Sequence, residues 1–306
     1  MDEAFRFREV ICKNQDDRKK EMNEKLKNFI IRAITGLVYV VLLLGCTLWS
    51  PISAFLFFGA VAVATLWEFS TLMNNHAGAS IARHLNALAG LLLISSVWLY
   101  VSGSESTSKM LGLYGLIMLY LLVSELYRKA ENPLKNWALI CLSQIYVAVP
   151  FALIPLLSVF YNPESGGYVY KWIYPISLFV FLWSNDTGAY LFGSILHKKF
   201  PAKLFPRISP NKSWVGSIGG GILTLLVSII VWKFAGDGMS LLQWLGFALV
   251  VVFFGTWGDL VESLLKRHLG IKDSGHVLPG HGGMLDRFDS SLLAIPASVI
   301  YLMYIG

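Results

Sequence analysis

Long apolar runs alternate along this chain with short polar stretches, beginning at Phe29. A membrane-crossing helix needs roughly 20 mostly apolar residues. Nine runs fit that length, at about 29–49, 51–71, 82–102, 109–127, 137–158, 172–194, 214–234, 241–264 and 288–305. Only Ser50 and Pro51 separate the first two, which predicts a tight turn. The sixth run contains Asn185 and Asp186, and the eighth contains Gly258, Asp259 and Glu262. Polar residues inside a span avoid lipid and face a protein interior or a water-filled cavity. The pattern predicts an all-α polytopic integral membrane protein of about nine transmembrane helices.

Composition agrees. Of the 306 residues, 55% are hydrophobic and 14% charged, against about 25% charged in soluble domains. The length of the runs excludes a soluble protein with an oversized core. Cys12, Cys46 and Cys141 form no motif and two of them sit in apolar runs, which argues against a disulfide scaffold or a thiolate metal site. Residues 1–28 are polar and mixed in charge, without the order of a secretory signal peptide. They are expected to form a cytoplasmic arm, helical or partly disordered. Its cations are available to anionic lipid, although seven acidic residues dilute them.

Lys and Arg orient the chain. With the amino terminus in the cytoplasm, the arm together with Arg32 just beyond it and the 71–83, 128–136, 195–213 and 265–287 loops hold 22 of the 25 cations. Lys109, Lys171 and Lys233 are the three on the other side. That split is a strong positive-inside signal. It puts the carboxyl terminus outside and the two large polar loops, 195–213 and 265–287, in the cytoplasm with the soluble nucleotides. The expected organisation is the arm (1–28), amino-terminal membrane helices (29–171) and a catalytic membrane region (172–306).

The densest chemistry lies from Ser263 to Asp289, with three carboxylates, four cations and three histidines at the rim of a span. On a helix Asp259, Glu262, Ser263 and Lys266 share one face, with Arg267 beside them. The order reads as a ramp from metal to phosphate; the plainer alternative is an internal Asp–Lys salt bridge that rigidifies a bundle. Lys272, Asp273, Gly275, Pro279, Gly280, His281, Gly282 and Gly283 follow. Glycines here permit close approach of a ligand, and exposed amides cradle anions. Asp286 and Asp289 flank Arg287 at the start of the last span. Together with Asp259 they suit Mg²⁺, a hard ion that shares its oxygen ligands with substrate phosphates. Two such ions can clamp both sides of a displacement at phosphorus.

Two further clusters lie upstream. In SPNKSWVGSIGGG (209–221), Lys212 and Ser213 can bind phosphate oxygens. The glycines follow the lysine, so this is no P-loop; a glycine-rich packing face is the alternative. Asn185 and Asp186, followed by Gly188 and Gly193, suit base, ribose or metal, or else a buried hydrogen-bonded helix contact. No nucleic-acid motif is present, and the cations are spread over membrane loops.

These residues resemble the phosphatidate cytidylyltransferase, or CDP-diacylglycerol synthase, family. Its motif stands complete as Ser263, Lys266, Arg267, Lys272, Asp273, Gly275, Pro279, His281, Gly282, Gly283, Asp286, Arg287 and Asp289. Asn185-Asp186 and Ser209-Pro210-Asn211-Lys212-Ser213 also look like the family's. The resemblance covers about 185–289 by motif and the remainder by plan alone. It implies that phosphatidic acid and CTP give CDP-diacylglycerol and pyrophosphate with Mg²⁺. It implies Asp259 and Asp286 as ligands of a two-metal site, with K⁺ a candidate second ion and Asp289 in support. It also implies a homodimer in the bilayer of the cell inner membrane. The rival readings are a cytidylyltransferase for an isoprenoid lipid phosphate, a polyprenol-type lipid kinase and a transporter. A transporter should show interrupted helices in both halves, and polar interruption is confined to the second.

Overall fold

The structure is a computed structural model that describes Lys27, residues 30–162, 166–236 and 238–275, Val277 and residues 282–305. Of the expected arm, only Lys27 is among them.

Each expected span is helical, with ends within a few residues of the apolar runs. The helices are α1 (Ile30–Trp49), α2 (Pro51–His76), α3 (Arg83–Val101), α4 (Thr107–Arg128), α5 (Pro133–Ser143), α6 (Val149–Ser158), α7 (Ile173–Leu196), α8 (Trp214–Ala235), α9 (Leu241–His268) and α10 (Leu285–Ile305). Counting α5 and α6 as one, eight are long and apolar enough to cross a membrane. The remaining one, α7, has 24 residues, and the Asn185–Asp186 interruption dilutes its apolar character. The chain is a mostly helical, polytopic membrane protein.

Local chemistry explains the joins. The expected tight turn between α1 and α2 is a capping box: Ser50 accepts from the Ser53 amide while the Ser53 side chain accepts from the Ser50 amide. Pro51 opens α2, where a missing N–H is harmless. A five-residue π turn, Gln144–Ala148, joins α5 to α6. Pro150 follows it and cannot donate a helical hydrogen bond. Buried around this turn, the Asn86 amide donates to Ser70 and Ser143, both at 2.9 Å, and Gln144 donates to the Asn86 side chain at 2.8 Å. These bonds tie α2, α3 and the α5–α6 helix together in a setting where an unpaired amide is costly.

Two loops contain short antiparallel hairpins, an addition to the all-helical expectation. β1 (Val159–Asn162) pairs with β2 (Gly167–Tyr170). Their aromatic and β-branched residues favour a ladder, and the Tyr170 hydroxyl pins it to the Thr47 carbonyl of α1 at 2.7 Å. β3 (Lys203–Phe205) and β4 (Ser209–Ser213) form the second hairpin within the 195–213 loop.

Aromatic rings fill the centre. Phe288 of α10 meets Phe151 at 5.3 Å, Tyr39 at 5.6 Å and Phe179 at 6.0 Å between ring centroids. Fully buried, Phe288 sets the rotation of α10. Asp286 and Asp289 on either side of it are thereby directed toward α9 and α7.

Candidate active site

The α9 face expected from spacing is formed, with a different set of partners. Ser263 donates to Asp259 Oδ1 at 3.1 Å. Lys266 pairs with Glu262 one turn back and with Asp286 Oδ1 of α10, the latter at 2.9 Å. Glu262 has no exposed surface, so Lys266 supplies the countercharge that makes its burial tolerable. Asp259 pairs instead with Lys212 of β4. Asp–Lys bridges of the kind weighed from the sequence are thus formed, and both reach between elements: Lys266 to Asp286 and Asp259 to Lys212.

Close backbone contact makes these meetings possible. A Cβ on Gly258 would lie 2.7 Å from the Asp289 carbonyl, so α9 and α10 touch where their carboxylates emerge. Likewise a Cβ on Gly220 would lie 2.5 Å from the Asn185 carbonyl, and one on Gly216 2.8 Å from the Ala189 carbonyl. Gly216, Gly219 and Gly220 therefore pack α8 against α7, as the alternative reading held. Gly216 also borders a cavity, as a ligand site requires. Ser213 caps α8 by accepting from the Gly216 amide at 3.2 Å.

The loop before α10 is held from two sides. Asp286 accepts from the Ser274 and Gly283 amides, each at 2.9 Å, as well as from Lys266. Glu68 of α2 accepts from the Ser274 hydroxyl, the Met284 amide at 2.8 Å and the Leu285 amide at 3.1 Å. Glu68 lies outside the motif that was read from the sequence. Its signal was a lone carboxylate within an apolar run, TLWEFST.

Two cavities meet here. The larger, of about 530 Å³, is bordered by Asn185, Asp186, His197, Lys203, Asn211, Lys212, Ser213 and Asp259. The smaller, of about 400 Å³, lies among α1, α7, α9 and α10, bordered by Thr35, Tyr39, Trp183, Asp186, Asp259, Asp286, Arg287 and Asp289. Asp186, Asp259 and Ser290 border both.

Not every expected site residue joins them. Lys272 and Asp273 are exposed and border neither cavity. Ser209 pairs with Phe205 in the hairpin. Arg267 donates to the Ile208 and Ile271 carbonyls, both at 3.4 Å, and so links the 195–213 and 265–287 loops. Gly282, at φ 81°, takes a left-handed turn that few other residues adopt, next to Asp286. His281, Pro279 and Gly280 lie outside the described residues.

The donor set suits a hard cation. Asp186, Asp259 and Asp289 present carboxylate oxygens, and the buried Asn185 Oδ1 has no hydrogen-bond partner. Among the described residues no three His, Cys, Asp or Glu side chains converge as a closed metal cage. Mg²⁺ does not require one: it is ordinarily held by one or two carboxylates, with water and substrate phosphate completing its shell. Asp286 could join only if one of its three present donors yielded.

Comparison with known proteins shows the family. The cytidylyltransferase family model matches residues 30–305. A phosphatidate cytidylyltransferase of Staphylococcus aureus (strain COL) is 33% identical over 278 residues, covering 89% of this chain and 98% of that protein. The phosphatidate cytidylyltransferase of Staphylococcus haemolyticus (strain JCSC1435) is 33% identical over 275 residues with the same coverage. A helical membrane bundle, cations paired with carboxylates at its rim, and a family match across nearly all the described residues lead to one assignment: the chain is an enzyme of the cytidylyltransferase family.

Proposed function

We propose that this enzyme transfers the cytidylyl group of CTP to phosphatidic acid, giving CDP-diacylglycerol and pyrophosphate, at the cytoplasmic face of the cell inner membrane. The observation that carries the reading is the wall shared by the two cavities: substrates seated in each would meet at Asp186 and Asp259. The larger cavity has the cations and amides for a triphosphate, from Lys203, Lys212 and the amino terminus of α8. The smaller has Arg287 for a phosphate and a wall of Tyr39, Val40 and Trp183. The opposite side of α1 exposes Leu37, Val38 and Val41, as a lipid-facing helix does.

In this reading an oxygen of the lipid phosphate attacks the α-phosphorus of CTP. The bond from that phosphorus to the bridging oxygen breaks, and its electron pair leaves on pyrophosphate. The attacking phosphate is already anionic, so proton removal contributes little; what must be overcome is repulsion between two anions. Lys212, released from Asp259 as CTP arrives, would neutralise the triphosphate. Arg287, with a planar fork that matches phosphate oxygens, would hold the lipid. Mg²⁺ held by Asp259 and Asp186 would stabilise charge on the transferred group.

The test is a turnover assay of purified protein with CTP labelled at either the α- or the γ-phosphate, offering phosphatidic acid or a polyprenyl phosphate. The α-label should enter the phosphatidic acid product with one pyrophosphate released per event. Transfer of the γ-label would make the protein a kinase, and preference for the polyprenyl acceptor would replace the lipid substrate.

A further inference from the structure

Glu68 sits in the amino-terminal half of the chain, 206 residues before Ser274 and 217 before Leu285, yet it holds the loop on which Asp286 depends. It is 5% exposed. A carboxylate buried within a membrane bundle is costly unless its oxygens are satisfied. Here one serine hydroxyl and two backbone amides satisfy them. The Met284 and Leu285 amides belong to the opening of α10, where N–H groups lack helical partners and attract negative charge. Glu68 is thus a helix cap supplied by another helix.

Two motif glycines are shaped around this carboxylate. A Cβ on Gly283 would lie 2.0 Å from Glu68 Oε1, and one on Gly275 2.9 Å from Oε2. From the sequence these glycines suggested a cradle for a ligand anion, and the anion they admit here is a side chain of the protein. The chain of contacts then runs inward. Glu68 grips Ser274 by its hydroxyl, the Ser274 amide donates to Asp286, and Asp286 accepts from Lys266.

We infer that Glu68 is a positioning residue for cytidylyl transfer: it fixes the Ser274 loop and the start of α10 so that Asp286 and Arg287 are held against Lys266 and the smaller cavity. It touches neither cavity itself. The inference rests on the active-site reading above, but does not depend on which lipid is the acceptor. It also gives the amino-terminal membrane helices a part in a site whose motif lies wholly in the other half.

The experiment uses the full-length protein in detergent, with three readouts. E68Q keeps the side-chain shape but places an amide NH₂ against backbone donors. It should lower kcat about 10- to 100-fold, as loss of outer-shell support does elsewhere. E68D, which keeps the charge, should recover part of that loss. Hydrogen exchange of the segment from Gly282 to Ser290 should accelerate in E68Q, while exchange in α3 and α4 is unchanged. In a double-variant cycle, E68Q and K266A should lose less together than the product of their separate losses, because both act through Asp286. E68Q with K109A should show simple multiplication. If E68Q does not fold, S274A removes one bond and leaves the carboxylate; it should show the same local exchange and a smaller fall in kcat. Wild-type kcat and exchange in E68Q or in S274A would overturn the inference, as would full multiplicativity with K266A. The exchange readout needs no turnover, so a wrong lipid assignment would leave it standing.

Discussion

Lys266 and Asp286 meet across two helices, with Nζ 2.9 Å from Oδ1, and the same ammonium pairs with the buried Glu262. One cation thus serves a carboxylate with no exposed surface and another that borders the smaller cavity. Stability and chemistry are joined at a single side chain.

K266A should therefore do two separable kinds of damage. Removing one partner of a buried pair costs about 3–5 kcal/mol, because the charge left behind is uncompensated. Thermal unfolding in detergent should show the fall. The double variant E262Q/K266M should recover most of the stability and little of the turnover, since Asp286 still lacks its cation. Wild-type melting and turnover in K266A would refute both roles.

Asp259 should be needed for turnover itself. D259N preserves shape but weakens binding of a hard cation and frees Lys212. Turnover should fall at least about 100-fold, as expected for loss of a major electrostatic element, in a protein that still folds and inserts. Retained activity at limiting Mg²⁺ would remove Asp259 from the ligand set.

The two cavities predict opposite kinetic signatures. K212A should raise the apparent KM for CTP more than that for phosphatidic acid, because Lys212 borders only the larger cavity. R287A should do the reverse. K109A, at the expected external rim, should change neither. Exchange of the two signatures would mean that the substrates occupy the opposite cavities.

Gly258 should not tolerate a methyl group. Its Cβ would lie 2.7 Å from the Asp289 carbonyl and 3.0 Å from that of Ser290, and a backbone oxygen cannot swing away. G258A should cost about 1–3 kcal/mol as an overpacked contact. It should also reduce turnover by parting Asp259 from Asp289. An unchanged melting curve would show that α9 and α10 can separate freely.

Orientation is open to direct measurement. S106C and K199C, each in a background without native cysteines, should label from opposite sides of sealed cells, with position 199 reached only from the cytoplasm. External labelling of both would overturn the orientation read from the cation distribution.

Most of the helical plan could be read locally. Whether 20 residues prefer a helix in lipid is a property of those residues, so the ends of α2, α8 and α9 fall close to their apolar runs. Spacing likewise put Asp259, Ser263 and Lys266 on one face, because helical periodicity needs no neighbour. The β3–β4 hairpin was less legible: its strands are short and rich in Pro, Asn and Lys, which carry little strand preference.

Residue identity determined which groups have chemistry to offer: carboxylates for a hard cation, cations for phosphate, and glycines where backbones or ligands come close. Only the tertiary structure decided who meets whom. It gave Asp259 to Lys212 and Lys266 to Glu262 and Asp286, and it turned motif glycines toward Glu68. A charge in a low-dielectric interior takes the partner that packing brings within reach, and packing joins residues that no local pattern relates. Glu68 could be seen in the sequence as a costly charge in an apolar helix, but its reason for being there lay more than 200 residues away.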